Sequence, residues 1–246
     1  MLKSSPPGTE TGVSLVEMMV GLAVGLLVIA AATSTYVIAG RGGRDTLNAA
    51  KLNMELRAAM DVMVEEIRRA GHAGPGGADN PFMRRDDDGF TDLAVSADGS
   101  CIDFSYDANG SCRPSNCTGE PEANEYRGFL LKGGQLKMLS VGSGGVIGRC
   151  DNETGEWVTD TGNIKISPDS GFSIAYRCLD TQTRLAGAGP CLANQSVFDA
   201  AAPGATLIEL REVTIRLAAQ SAADANIRMQ LEQRVQVRNH RVTVAP

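Results

Sequence analysis

The sequence predicts an α+β fold, with a long N-terminal helix packed on an antiparallel β-sheet head. Three observations predict it. An apolar run fills residues 13–39, apolar residues at three- and four-residue spacing follow to residue 70, and period-two alternation begins at Cys101.

The chain has 246 residues, 43% of them hydrophobic, and a formal net charge of −6. That composition excludes a disordered body, and the acidic balance offers no basic stripe for nucleic acid. All six cysteines lie after residue 100. An even number of cysteines in a loop-rich region points to disulfides and an oxidising compartment such as the periplasm.

The first element is VSLVEMMVGLAVGLLVIAAATSTYVIAG, beginning at Val13. As a helix, residues 13–39 extend about 40 Å, enough to cross a hydrocarbon core of about 30 Å. Glu17 is the exception near its start. A carboxylate at bilayer depth costs a few kcal/mol, and neither a plain anchor nor a secretory signal has a use for it. The bland reading places Glu17 at headgroup level.

The next stretch, Gly40-Arg41-Gly42-Gly43-Arg44, predicts an interruption of the helix, as a kink or a loop. A second helical segment then follows. Leu52, Leu56, Met60, Met63 and Ile67 form its apolar face, Asp45 its N-cap and Gly71 its C-terminal stop. Residues 72–100 read as irregular loop. Asp86-Asp87-Asp88-Gly89 reads as a solvated turn and lacks the later acid of a calcium-binding loop.

Strands follow. Ile102, Phe104 and Tyr106 alternate with polar residues, and Gly133-Gly134 marks a hairpin between Phe129–Leu131 and Leu136–Leu139. Ile164 with Ile166, and Phe172 with Ile174 and Tyr176, continue the pattern. Leu207–Leu217 and Ile227–Val237 form a long pair around a polar loop. Cys112 and Cys117 bracket one short loop and Cys178 and Cys191 another, which leaves Cys101 and Cys150. That pairing is one of about 15 that six cysteines allow. The spacings do not suit zinc, no other metal or cofactor is indicated, and no catalytic signature occurs. His72 and His240 read as surface residues.

Gly12-Val13-Ser14-Leu15-Val16-Glu17 followed by an apolar helix resembles the processing motif of type IV prepilins. The resemblance implies that residues 1–12 are a cytoplasmic leader. A prepilin peptidase cuts between Gly12 and Val13, the new amine of Val13 is methylated, and Glu17 is the retained acid. The family's usual first mature residue is phenylalanine, so Val13 is a departure. Glu66, Arg68, Arg69, Ala70 and Gly71 resemble the helix end of the PilW family of minor pilins, and Val237-Arg238-Asn239 its terminal strand. Pseudopilin J of type II secretion is similar at the helix end.

The resemblance implies a non-enzymatic subunit of four parts: leader 1–12, transmembrane and filament-core helix 13–39, amphipathic helix 40–71, and periplasmic head 72–246. Its implied partners are the prepilin peptidase, other minor pilins, the major pilin and an inner-membrane assembly platform. The implied role is to prime and join a pilus that serves adhesion, twitching motility or DNA uptake. A minor pseudopilin is the alternative, and an anchored periplasmic enzyme or binding domain the third reading. One feature opposes this topology: the leader carries only Lys3, whereas Arg41, Arg44, Lys51 and Arg57 follow the span. The positive-inside rule favours the reverse orientation. The cysteines and the resemblance to the cleavage motif favour a periplasmic head, in disagreement with that rule.

Overall fold

The computed structural model describes residues 12–73, 80–83, 92–110, 112, 121–139, 150, 157–159, 161, 164–191 and 201–245. Asp86–Asp88 and Cys117 lie outside these residues, as does the leader up to Thr11. The chain divides into two units between Leu47 and Asn48, each taken by itself below.

The first unit is helical. Helix α1 (Leu15–Arg69) starts here, and its large apolar side chains from Leu15 to Ile38 are exposed. The hydroxyls of Thr33 and Thr35 donate to the carbonyls of Ile29 (2.7 Å) and Ala31 (3.0 Å). These two polar side chains are thereby satisfied within the helix, and the run stays compatible with an apolar environment.

The glycine cluster does not interrupt α1, contrary to the sequence expectation. Each glycine costs roughly 1 kcal/mol against alanine, but extending an existing helix needs no new nucleus. The Thr46 hydroxyl donates to the Gly42 carbonyl at 2.8 Å. Asp45 lies inside the helix and so is not an N-cap.

The second unit is built on the remainder of α1. Leu52, Leu56, Met60, Met63 and Ile67 are buried, joined by Ala59 and Val64. They share one core with Ile102, Phe104 and Phe129 from one sheet and Val213, Ile215 and Leu217 from another. Burying each large side chain contributes about 1.5–3 kcal/mol, which explains why a helix with this stripe needs the sheets beneath it.

The first sheet is an antiparallel meander of β1 (Ala94–Val95), β2 (Cys101–Ser105), β3 (Tyr126–Lys132), β4 (Gln135–Leu139) and β5 (Trp157–Thr159). Gly133 and Gly134 close the β3–β4 hairpin with φ of 64° and 75°. A two-residue turn with both φ values positive matches the twist of the flanking strands, and glycine adopts it without strain.

The second sheet holds β6 (Ile164–Ile166), β7 (Gly171–Asp180), β8 (Ala186–Ala188), β9 (Thr206–Ser221), β10 (Arg228–Gln236) and β11 (Arg241–Val244). Strand β9 is its spine. On one side it pairs with β10 and then β11, on the other with β6 and then β7, all antiparallel. Backbone bonds from Phe172 N–H to the Gly99 carbonyl and from Ile166 N–H to the Gly134 carbonyl, both 2.8 Å, join the two sheets.

The loop expected over 72–100 contains β1, and Val237–Asn239, which resembled a terminal strand, instead links β10 to a further strand, β11. Both strands are short, and each exists because a longer partner supplies its hydrogen bonds.

Candidate functional site

Gly12, Val13 and Ser14 precede the first turn of α1 in non-helical backbone. The Ser14 carbonyl accepts from Met18 N–H at 3.0 Å, so helical bonding starts there. A Cβ placed on Gly12 meets nothing within 4 Å, and Val13 is 75% exposed. Among the described residues, nothing crowds the Gly12–Val13 bond. Glu17 lies in the first helical turn, where the positive end of the helix dipole favours an anion. No other acid or base occurs along α1 until Arg41, so the exposed apolar surface carries one charge at its start. This helix is long and apolar enough to cross a membrane.

In the second unit a network of polar contacts surrounds the C-terminal end of α1. A helix end leaves carbonyls without partners, and here the chain supplies them from distant segments. Gly71 turns the chain with φ of +71° and donates its N–H to Ser105 at 2.8 Å. The Arg238 N–H reaches the Arg68 carbonyl at 3.3 Å. The Asn239 side-chain amide donates to the carbonyls of Arg69 (3.3 Å) and Ala70 (3.1 Å). Asn80 Nδ2 donates to Gly71 at 2.8 Å, and Asp107 N–H to His72 at 2.7 Å.

Asn239 is itself held. Its carbonyl accepts from Arg211 Nη2 at 2.7 Å, and Arg211 Nη1 pairs with Asp92 Oδ1. Both side chains of that ion pair are fully buried. Arg241 Nη2 adds a second cation to Asp92 at 2.9 Å and donates to the Met83 carbonyl. Arg241 Nη1 also lies 3.9 Å from Glu209, whose other oxygen accepts from Cys191 N–H at 3.0 Å. Such a network compensates desolvation only when each charge finds its partner.

His240 follows Asn239 directly and is half-buried, not a free surface side chain as the sequence suggested. Burial, with the Arg211 charge added, pushes its pKa below the ordinary histidine value. A second group fixes the outer side of the helix end. The Tyr106 hydroxyl donates to Glu66 Oε2 at 2.6 Å, and Arg127 lies 3.8 Å from the same oxygen and over the Tyr106 ring. Burial and that carboxylate hold the Tyr106 hydroxyl above the usual phenol range.

Cys178 is bonded to Cys191 and Cys101 to Cys150. Cys112 is also disulfide-bonded, and its sequence-suggested partner Cys117 lies outside the described residues. Among the described residues, no group of three or more His, Cys, Asp or Glu is arranged to hold a metal ion.

The two sequence segments singled out at Glu66–Gly71 and Val237–Asn239 therefore meet in space. Asp92, Arg211 and Arg241 are the residues that sequence reasoning missed. A signal for Arg211 existed: in β9 it shares the alternate positions of Leu207, Val213, Ile215 and Leu217, so period two puts it in the core.

A model of the prepilin peptidase-dependent protein B family matches residues 45–237. No match is found among curated proteins or among solved structures.

Proposed function

The chain belongs to the prepilin peptidase-dependent protein B family, and from that premise we propose that it is a PilW-like minor type IV pilin. Its role is structural and not enzymatic. Prepilin peptidase removes the leader between Gly12 and Val13, and the Val13 amine is methylated. The helix then anchors the chain in the inner membrane with the β head in the periplasm. With other minor pilins and the major pilin, at the inner-membrane platform, it primes a filament and enters it.

The observation that carries this reading is Glu17 in the first turn of a helix that carries no other charge before Arg41, four residues after Val13. A carboxylate in an apolar setting needs a partner. In a bundle of such helices the N-terminal amine of a neighbouring subunit supplies one, which makes Glu17 costly alone and satisfied in the filament. The family match adds independent support, because residues 45–237 exclude the Gly12–Glu17 segment.

The test is a strain lacking this chain, complemented with wild type or Glu17→Ala. The reading predicts fewer sheared surface pili and weaker twitching in the deletion, restored by wild type and not by Glu17→Ala. Intact piliation with a loss of secreted proteins from the medium points instead to a type II pseudopilin. Full function of Glu17→Ala contradicts a filament role and leaves an anchored periplasmic domain.

A further inference from the structure

We infer that Arg41 and Arg44 together bind the phosphate of an acidic phospholipid headgroup and so set the depth of the anchor. This rests on the reading of α1 as a membrane span. The uncharged stretch Met18–Ala39 covers 22 residues of α1, or about 33 Å at about 1.5 Å per residue, close to the hydrocarbon thickness of about 30 Å. Arg41 and Arg44 follow within the next turn and a half. Their Cα positions then fall about 3 Å and about 8 Å beyond the core, inside the headgroup layer.

The two arginines are three residues apart on a continuous helix, hence on one face. Both are exposed, and among the described residues neither side chain has a hydrogen bond or ion pair. Asp45 is four residues beyond Arg41 and still makes no ion pair with it. The next two cations differ. Lys51 lies 4.0 Å from Glu55, and Arg57 donates to Asn53 at 2.6 Å. Lys51, Arg57 and Arg69 thus have partners within the helix, whereas among the described residues Arg41 and Arg44 at headgroup depth have none, a condition shared farther along only by Arg68. Gly40, Gly42 and Gly43 flank them, and a Cβ at any of these meets nothing within 4 Å. That open surface gives the guanidinium groups room to lie along the helix and take a phosphate with paired N–H donors. The same assignment removes the conflict with the positive-inside rule, because these arginines face lipid phosphate in the outer leaflet and do not report orientation.

The experiment reconstitutes the full chain in phosphatidylcholine vesicles carrying spin-labelled phosphatidylglycerol or spin-labelled phosphatidylcholine. Electron paramagnetic resonance reads the motionally restricted lipid at the protein boundary. Resistance to extraction at alkaline pH reads insertion separately. An inserted wild type is expected to prefer phosphatidylglycerol by about fivefold for each arginine at low salt. Arg41→Gln/Arg44→Gln is expected to stay inserted and lose that preference, and Lys51→Gln/Arg57→Gln to keep it. An inserted double variant with unchanged preference overturns the lipid assignment alone. If that variant also fails to enter filaments, the arginines are a subunit contact. A wild type extracted by alkali overturns the membrane reading and this inference with it.

Discussion

The side-chain amide of Asn239 donates to the carbonyl of Ala70 at 3.1 Å, across 169 residues of chain. This contact ties the last turn of the helix to the segment between the final two strands. It explains why two short motifs at opposite ends of the head belong together.

Replacing Asn239 by alanine removes both bonds to the helix end. The expected loss is about 1–2 kcal/mol of unfolding free energy. Urea denaturation of the detergent-solubilised chain measures it, with an unchanged slope against denaturant as the sign that only stability moved.

The Asp92–Arg211 pair is expected to matter more. Arg211→Met removes the fully buried cation from a buried carboxylate that Arg241 only partly compensates, and should cost about 3–5 kcal/mol. The combined Asp92→Leu/Arg211→Met variant should cost clearly less than the two single changes added. A double-mutant cycle measures that difference, and additivity within about 0.5 kcal/mol contradicts the coupling.

Glycine to alanine changes should have opposite signs at two positions. At Gly71 the φ of +71° is costly for alanine, and an added Cβ would press on the side chain of Met83. A loss of at least about 1–2 kcal/mol is expected. At Gly42 the backbone is helical and nothing lies within 4 Å. Alanine there should gain about 0.4–1 kcal/mol. Helix content and thermal melting of both variants check the pair.

His240 gives the fold a pH dependence of predictable sign. Burial lowers its folded pKa below the ordinary value of 6.5, so the folded state prefers the neutral ring. The associated stability is fully present above pH 6.5 and is lost as pH falls through the depressed folded value. Melting temperatures between pH 7.5 and 5 should fall less for His240→Gln than for wild type. Parallel curves for the two proteins contradict the assignment.

Much of this architecture is legible from residue spacing. Leu52, Leu56, Met60, Met63 and Ile67 announce their helix face, and the pair Gly133-Gly134 announces its turn, because both signals are local. The glycine cluster at Gly40–Gly43 misled, since propensity acts per residue whereas a helix already formed on both sides propagates through. Strands β5 and β11 were hidden because their partners β4 and β9 determine them. The buried network was hidden for a related reason. Asp92 and Arg211 are 119 residues apart, and only the strand register brings them together. The Gly12–Glu17 segment is a reading of sequence alone, because its information lies in fixed spacing beside an apolar run and not in packing.

The central claim is prepilin processing, and the mature N-terminus of the protein from its native membrane tests it most directly. Intact-mass and N-terminal peptide mass spectrometry should find a chain that starts at Val13 with a methylated amine. A chain that still carries Met1, or one cut within the apolar helix near Ala32, contradicts it.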